Sequence, residues 1–324
     1  MNIVLDRSKL SKFQSTIALI VLCIALSLLS DKFLTVDNGW NVLRQISVNI
    51  CISVGMTLVI LTAGIDLSVG SVIAFSGAVA AGLLKSGLSF PGSDLLIGFT
   101  LLGTLLAGII TGALLGFFNG WVITKFKVPP FVATLAMLTV ARGFTMLWTK
   151  GYPISSLGSN FAMIGTGWFL GIPILVWIAF LVVIAAIVIS NKTALGRYIY
   201  AIGGNENAAI LSGINSNKVK IIVYTLAGVL AAIGGIMVTS RLDSAQPNAG
   251  MSYELDAIAA VVIGGTSLSG GRGTIIGTVL GAIIIGVLNN GLVLLDVSPF
   301  WQQVVKGLVI LLAVMIDKAN SKTE

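Results

Sequence analysis

Of the 324 residues in the chain, 56% are hydrophobic and only 10% are charged, and the mean hydropathy is +1.03. Soluble domains carry about 25% charged residues because their surfaces face water. A chain with less than half that fraction, and with repeated apolar stretches of about 20 residues, uses lipid as its solvent. The composition therefore excludes a soluble fold. It predicts an all-α, polytopic membrane protein with a single transmembrane domain over residues 1–324.

Residue content also excludes most hydrolytic chemistry. The chain has no histidine, and its two cysteines, Cys23 and Cys51, both lie inside apolar runs. A zinc site, a Ser-His-Asp triad or a Cys-His pair cannot be built from this set. The ATP-binding pattern G-x-x-x-x-G-K-[ST] does not occur in the sequence. The sequence therefore predicts no catalytic, cofactor-binding or metal-binding residues. It predicts a conduit for a transported substrate and not an enzyme.

Ten apolar segments predict about ten transmembrane helices. The second and third are nearly continuous, and the eighth is short enough for a partly spanning or tilted segment. The segments lie near residues 15–31, 47–64, 67–84, 95–123, 130–148, 172–190, 219–240, 253–267, 274–294 and 299–316.

The positive charges predict the orientation. With the N-terminus inside, twelve Lys and Arg residues fall in or beside the inner segments and five in the outer ones. This bias follows the positive-inside rule, so both termini are predicted to be cytoplasmic. The net charge of +7 then reflects topology and does not indicate a nucleic-acid partner. The longest inner polar loop is about residues 191–218.

Glycines recur every four residues in two segments, at positions 108, 112 and 116 and at positions 273, 277 and 281. This spacing puts small residues on one helix face and predicts close helix packing. The strings GALLGFFNG at 112–120 and GAIIIGVLNNG at 281–291 are also alike. They end helices predicted to run in opposite directions, which is the pattern of an inverted-topology repeat.

The break between the second and third segments holds an acid beside two serines: Asp66, Ser68 and Ser71. One interpretation is a broken helix that lines a translocation path, with Ser68 and Ser71 contacting a polar substrate. The other is a tight turn in which Asp66 caps the third helix by accepting from the amides of its first turn. Both hold together if the cap positions a lining helix.

Three other charged residues fall at membrane depth. Arg142 lies deep in the fifth segment, so its side chain should face protein or a wet cavity, or else extend to an interface. Glu254 and Asp256 begin the eighth segment, where acids complement the helix dipole; a proton-relay role is the alternative.

Several motifs resemble the permease subunits of monosaccharide ABC importers, with ribose permeases the most alike. The resemblance covers about residues 16–316, and its motifs occur in the order of that family. They are GIDLSVGS at 64–71, LGRY at 195–198, GGNE at 203–206, LSGI at 211–214, SAQP at 244–247, YELDAIAA at 253–260 and GGTSL at 264–268.

The resemblance implies a multi-pass subunit of the cell inner membrane that works with a binding protein. The assembly would be a homodimer of permeases with two cytoplasmic ATP-binding cassette subunits and a periplasmic sugar-binding protein, embedded in membrane lipid. It also implies that residues 205–214 form a short helix that couples to the ATPase. The implied coupling residues are Asn205, Glu206, Ala208, Leu211, Ser212, Gly213 and Ile214.

The predicted function is import of a monosaccharide by alternating access, and ribose is the favoured substrate. ATP is hydrolysed on a separate subunit. One alternative is a secondary sugar transporter driven by protons or sodium, and another is a channel or receptor without energy coupling. Within the ABC class, the substrate is open to another sugar or a furanose-like signalling molecule.

Overall fold

The computed structural model describes residues 7–89 and 96–321, and these residues form thirteen helices and six two-residue strands. The prediction of an all-α fold is confirmed. The helices are α1 (Arg7–Leu29), α2 (Val36–Leu61), α3 (Val69–Ser86), α4 (Leu101–Lys125), α5 (Pro130–Thr149), α6 (Ser159–Thr166), α7 (Ile174–Lys192), α8 (Ala194–Gly204), α9 (Glu206–Leu211), α10 (Ser216–Arg241), α11 (Tyr253–Ile263), α12 (Ile275–Leu294) and α13 (Pro299–Ser321).

The strands form three antiparallel pairs. Leu88–Ser89 (β1) pairs with Leu96–Ile97 (β2), Ile154–Ser155 (β3) with Ser244–Ala245 (β6), and Trp168–Phe169 (β4) with Ile172–Pro173 (β5).

Each of the ten predicted segments contains a helix. Seven helices among the described residues are long and apolar enough to cross a membrane, and α1 and α13 contain shorter apolar runs. The eighth segment forms α11, which has 11 residues. At about 1.5 Å per residue this helix is much shorter than the roughly 30 Å hydrocarbon core of a bilayer. The chain is therefore a multi-pass membrane protein in which α11 is too short to span on its own.

Some helices extend beyond the apolar segments that predict them. Helix α2 begins at Val36, well before residue 47, because the Thr35 hydroxyl accepts a hydrogen bond from the Asn38 amide and starts the helix in polar sequence. Helices α6, α8 and α9 lie in connections that the hydropathy pattern leaves without helix. Lys322, which enters the charge count, lies outside the described residues.

The distribution of exposed apolar side chains fits a lipid environment. In α2 the most apolar stretch is 78% buried, whereas in α4 and α7 it is 22% buried. Leu102, Ile110 and Leu114 on α4 are each more than half exposed. A continuous apolar surface of this kind is unfavourable in water and is the normal surface of a helix in hydrocarbon.

The chain divides into two compact units. Unit 1 comprises residues 1–64, 182–214 and 255–324, and unit 2 comprises residues 65–181 and 215–254. In unit 2, α4 packs against α10, with Gly112 against Gly228 and Gly116 against the carbonyl of Tyr224. A Cβ on Gly112 or Gly116 would collide with the backbone of α10. The predicted packing role of the first glycine series is confirmed.

In unit 1, α12 packs against α2 and α1. Gly277 and Gly281 of the second glycine series contact the backbone of Gly264 and Ala260. The third member, Gly273, lies before the helix with φ 154°, so its assignment to a helix face is wrong. Thr274 is extended and caps α12, because its hydroxyl accepts a hydrogen bond from the Gly277 amide.

Candidate functional site

The loop at 191–218 contains a short helix capped at both ends. At its start, Asn205 Oδ1 accepts a hydrogen bond from the Ala208 amide at 3.0 Å. At its end, the Gly213 amide donates to the Ile210 carbonyl and the Ile214 amide to the Ala209 carbonyl, which is the Schellman arrangement. Six residues rarely hold a helix alone, so the two caps account for α9.

The surface of α9 is unusually apolar for an exposed loop. Leu211 is 90% exposed and Ile210 is 51% exposed, while Ala209 is buried and anchors the helix. Of the predicted coupling residues, Glu206 and Ile214 are half-buried, and Asn205, Ala208, Leu211, Ser212 and Gly213 are exposed. Exposed Ile and Leu side chains on a rigid, capped helix form a suitable contact surface for another protein.

Helix α8 connects α9 to the rest of unit 1. Its Gly203 lies against the Leu61 carbonyl at the end of α2 and against Gly271, so closely that a Cβ would collide with both. The Gly271 amide also donates to the Leu61 carbonyl at 3.0 Å. A displacement of α8 must therefore move the end of α2 and the segment around Gly271 with it.

A second contact holds α8 to the same segment. The Tyr200 hydroxyl donates to the Gly273 carbonyl at 2.9 Å. Burial raises the pKa of the Tyr200 phenol, so the group stays a neutral donor at physiological pH. The sequence predicts this part of the chain as polar loop. The spacing of the buried Ile199 and Ile202, after the cap at Thr193, is the signal that reveals a helix.

The predicted path residues Asp66, Ser68 and Ser71 all lie buried in unit 2. Asp66 Oδ1 accepts from the Ser68 amide at 2.9 Å and from the Ser68 hydroxyl at 2.6 Å. Asn119 of α4 donates to the Ser68 hydroxyl at 3.0 Å. The structure thus joins Asp66 and Ser68 in one hydrogen-bonded chain with Asn119.

Ser71 lies in the first turn of α3, and its buried hydroxyl has no hydrogen-bond partner among the described residues. The interpretation of Asp66 as a cap of the third helix is wrong. Helix α3 begins at Val69, and the Asp66 carboxylate binds Ser68 before the helix and none of the amides of its first turn. The carboxylate closes a two-residue side-chain turn of the kind that Asp commonly forms.

Arg142 contacts backbone oxygens, which its sequence context did not predict. Its Nη1 donates to the Pro247 carbonyl at 2.7 Å and to the Ala249 carbonyl at 2.9 Å. Glu254 lies within electrostatic range of the guanidinium. Arg142 therefore holds the segment between β6 and α11 against α5, and its side chain faces protein as the membrane setting requires.

Asp256 takes part in a buried network of unit 1. Its Oδ2 lies 3.0 Å from Lys306 Nζ of α13 and accepts from Asn289 Nδ2 of α12 at 3.3 Å. The first-turn position predicted for Asp256 is correct, and the ion pair adds a specific partner to the general effect of the helix dipole. No local pattern announces this pair, because Lys306 is 50 residues away.

The chain matches a described family over most of its length. The family model "Branched-chain amino acid transport system / permease component" covers residues 39–314. The ribose import permease protein RbsC of Haemophilus influenzae is 52% identical over 94% of this chain and 92% of its own length. The ribose import permease protein RbsC of Bacillus subtilis is 52% identical over 96% of this chain and 94% of its own length.

A more distant relative is named for a different sugar. The D-allose transport system permease protein AlsC of Escherichia coli is 37% identical over 94% of this chain and 90% of its own length. No solved structure matches the chain. The match to the family model and the near-complete coverage of relatives confirm the predicted resemblance, and the chain belongs to this family of transport-system permease components.

Proposed function

We propose that the chain is the permease subunit of an ATP-driven importer that moves ribose into the cytoplasm by alternating access. The greater identity to permeases named for ribose than to the one named for allose supports ribose as the substrate. Because the chain lacks the ATP-binding pattern G-x-x-x-x-G-K-[ST], the proposed importer binds and hydrolyses ATP on a partner subunit.

The observation that carries the mechanism is the capped helix α9. It presents Ile210 and Leu211 to solvent, while α8 ties it through Gly203 to the end of α2. An ATPase that binds α9 and moves would displace α8. Through the contact between Gly203 and Leu61, this displacement would reach the membrane helix α2. Packed elements shift as rigid bodies, so this connection converts nucleotide-driven motion into helix movement. The coupling residues are Asn205, Glu206, Ala208, Leu211, Ser212, Gly213 and Ile214.

The proposed assembly is a homodimer of this permease with two ATP-binding cassette subunits on the cytoplasmic side. A periplasmic sugar-binding protein delivers ribose to the outer mouth, and the complex lies in the cell inner membrane. Both termini are cytoplasmic in this arrangement. The twelve-to-five distribution of positive charges supports that orientation.

Asp66, Ser68 and Ser71 are the proposed path residues. The buried Ser71 hydroxyl, without a partner among the described residues, is available to a sugar hydroxyl when the path opens. Asp66 and Ser68 already satisfy each other, so their role is to fix the start of α3 beside that path. Weak binding suits this task, since a conduit must release its substrate.

The test is purification of the chain with its ATPase, reconstitution into vesicles, and measurement of ribose uptake with the binding protein present. We expect uptake that requires ATP and stops when the ATPase is left out, with ribose stimulating ATP hydrolysis more than allose or xylose. Uptake driven by a proton or sodium gradient alone would show that the chain is a secondary transporter. Uptake that survives deletion of residues 205–214 would show an uncoupled channel.

A further inference from the structure

A groove lies on unit 2 where α10 begins. Its volume is about 610 Å³, within the range of about 300–1,000 Å³ that is usual for small-molecule sites. The walls come from Asn215, which caps α10, from the first three turns of α10 and from Phe117 of α4. None of the residues identified above for coupling or for the path contributes to these walls.

The groove is polar at one end and apolar along its length. Asn217 and Lys218 line the end at the start of α10, and Ile221, Ile222 and Leu226 line the rest. Leu226 is eight residues beyond Lys218, which is about 12 Å along a helix. This division matches an amphiphile with a polar head and a hydrocarbon tail.

The polar end of the groove is basic. Helices α4 and α10 are antiparallel, with Gly112 opposite Gly228 and Gly120 opposite Ile221. Continuing this register puts Lys125, at the end of α4, opposite the first residues of α10, so Lys125 and Lys218 lie at the same end of the helix pair. Lys127, two residues beyond the end of α4, is also exposed.

No exposed acid offsets these lysines in the part of unit 2 that the structure describes. The acids there are the buried Asp66, and Asp243 and Glu254, which follow the opposite end of α10. The basic end therefore attracts an anion, and the helix dipole at the start of α10 acts in the same direction.

Aromatic side chains indicate the depth of this end in the membrane. Trp121 and Phe126, both exposed, meet edge to face with ring centroids 5.2 Å apart at the end of α4. Tryptophan is enriched at the boundary between headgroups and hydrocarbon. The basic end of the groove thus lies at headgroup level, and its apolar walls extend toward the hydrocarbon.

We propose that this groove binds one anionic phospholipid, with the phosphate near Lys218 and Lys125 and an acyl chain along Ile221, Ile222 and Leu226. The proposal of lipid binding does not depend on the proposed transport function. The orientation given in the proposed function places this lipid in the cytoplasmic leaflet.

The test uses the purified permease alone, without ATPase, binding protein or sugar. Native mass spectrometry of the full chain measures binding of phosphatidylglycerol and of phosphatidylcholine with the same acyl chains. We expect one phosphatidylglycerol to be retained per chain, and retention to weaken about fivefold for each of Lys125→Gln and Lys218→Gln. Lys150→Gln, which removes an exposed lysine outside the groove, should bind like the wild type.

A second variant tests the apolar part. Thr225 lines the groove and is half-buried, so Thr225→Trp should fill the space and reduce retention with all lysines intact. Equal binding of phosphatidylcholine, or unchanged phosphatidylglycerol binding in Lys125→Gln/Lys218→Gln, would overturn the proposal. So would competition by glycerol phosphate as effective as that by the lipid. Loss of ATPase co-purification with normal lipid binding in the lysine variants would identify a protein-docking surface instead.

Discussion

The carboxylate of Asp256 lies 3.0 Å from the ammonium of Lys306, with the two side chains 4% and 21% exposed. The pair connects α11 to α13 within unit 1, and Asn289 of α12 donates to the same oxygen. Each buried charge is stabilised by the other, because a buried charge without a partner is strongly unfavourable.

Removing one member of this pair should therefore destabilise the protein more than removing both. We expect Lys306→Met to lower the free energy of unfolding by about 3–5 kcal/mol, and Asp256→Asn/Lys306→Met to recover most of the loss. Thermal unfolding of the purified variants in detergent measures this, with Lys150→Met as the exposed control. If the double variant melts lower than either single variant, the two side chains contribute independently and the pair is not coupled.

Arg142 holds the segment between β6 and α11 by two hydrogen bonds to carbonyls. Hydrogen bonds to charged groups contribute about 1.5–3 kcal/mol each, and 1.4 kcal/mol is a tenfold change in an equilibrium constant. Arg142→Gln should therefore expose this segment at least about tenfold more often. We expect a cysteine at Ala249, which is half-buried and lies in this segment, to react correspondingly faster with a membrane-impermeant maleimide.

The labelling experiment replaces Cys23 with Ala so that its thiol does not interfere. Arg197→Gln, which alters an exposed arginine of unit 1, is the matched control and should leave the labelling rate unchanged. An unchanged rate in Arg142→Gln would mean that the strand pairing of β6 with β3 holds the segment without help from the arginine.

The sequence predicts the membrane helices well and the polar contacts poorly, for physical reasons. Hydropathy over about 20 residues records burial in lipid directly, so each of the ten apolar segments contains a helix. Contacts such as Asp256 with Lys306 join residues 50 positions apart and have no local signature. The partners of Arg142 are backbone carbonyls, and no residue type marks them.

One sequence pattern, the predicted repeat, is matched by a shared structural feature that does not by itself establish the repeat. The likeness between residues 112–120 and 281–291 is reflected in one shared feature. Asn119 joins a network that contains Asp66, and Asn289 donates to Asp256. Each string thus contains an asparagine in a hydrogen-bonded network with a buried aspartate, through Ser68 for Asn119 and directly for Asn289. The inverted repeat itself stays a prediction.

The coupling helix should be sensitive to the backbone conformation at Gly213. This residue has φ +86° and ends α9 in a turn that β-branched residues cannot adopt without strain. We expect Gly213→Val to abolish ATP-driven uptake and weaken ATPase pull-down, and Gly213→Asn, which tolerates a left-handed backbone, to retain most of both. Normal uptake with unchanged pull-down in Gly213→Val would contradict the coupling role of α9.

Leu211 gives a test that leaves folding untouched. Its side chain is 90% exposed at the last residue of α9, where a positive charge suits the helix dipole, so Leu211→Lys should not lower the melting temperature of the isolated permease. We expect it to reduce ATPase pull-down at least about tenfold, because a charge replaces an apolar contact in the proposed interface. The variant keeps Glu206, the half-buried first residue of α9, so the start of the helix is the same as in the wild type.

The neighbouring glycines Gly203 and Gly204 offer the sharpest control for force transmission. A Cβ at Gly203 would collide with the Leu61 carbonyl and with Gly271, whereas a Cβ at Gly204 would meet nothing. Gly203→Ala should therefore push α8 away from the end of α2, so that motion of α9 no longer reaches a membrane helix. We expect ribose uptake to fall at least about tenfold while ATPase pull-down persists, and Gly204→Ala to transport normally. Equal uptake by the two variants would mean that coupling passes by a route other than the contact between Gly203 and Leu61.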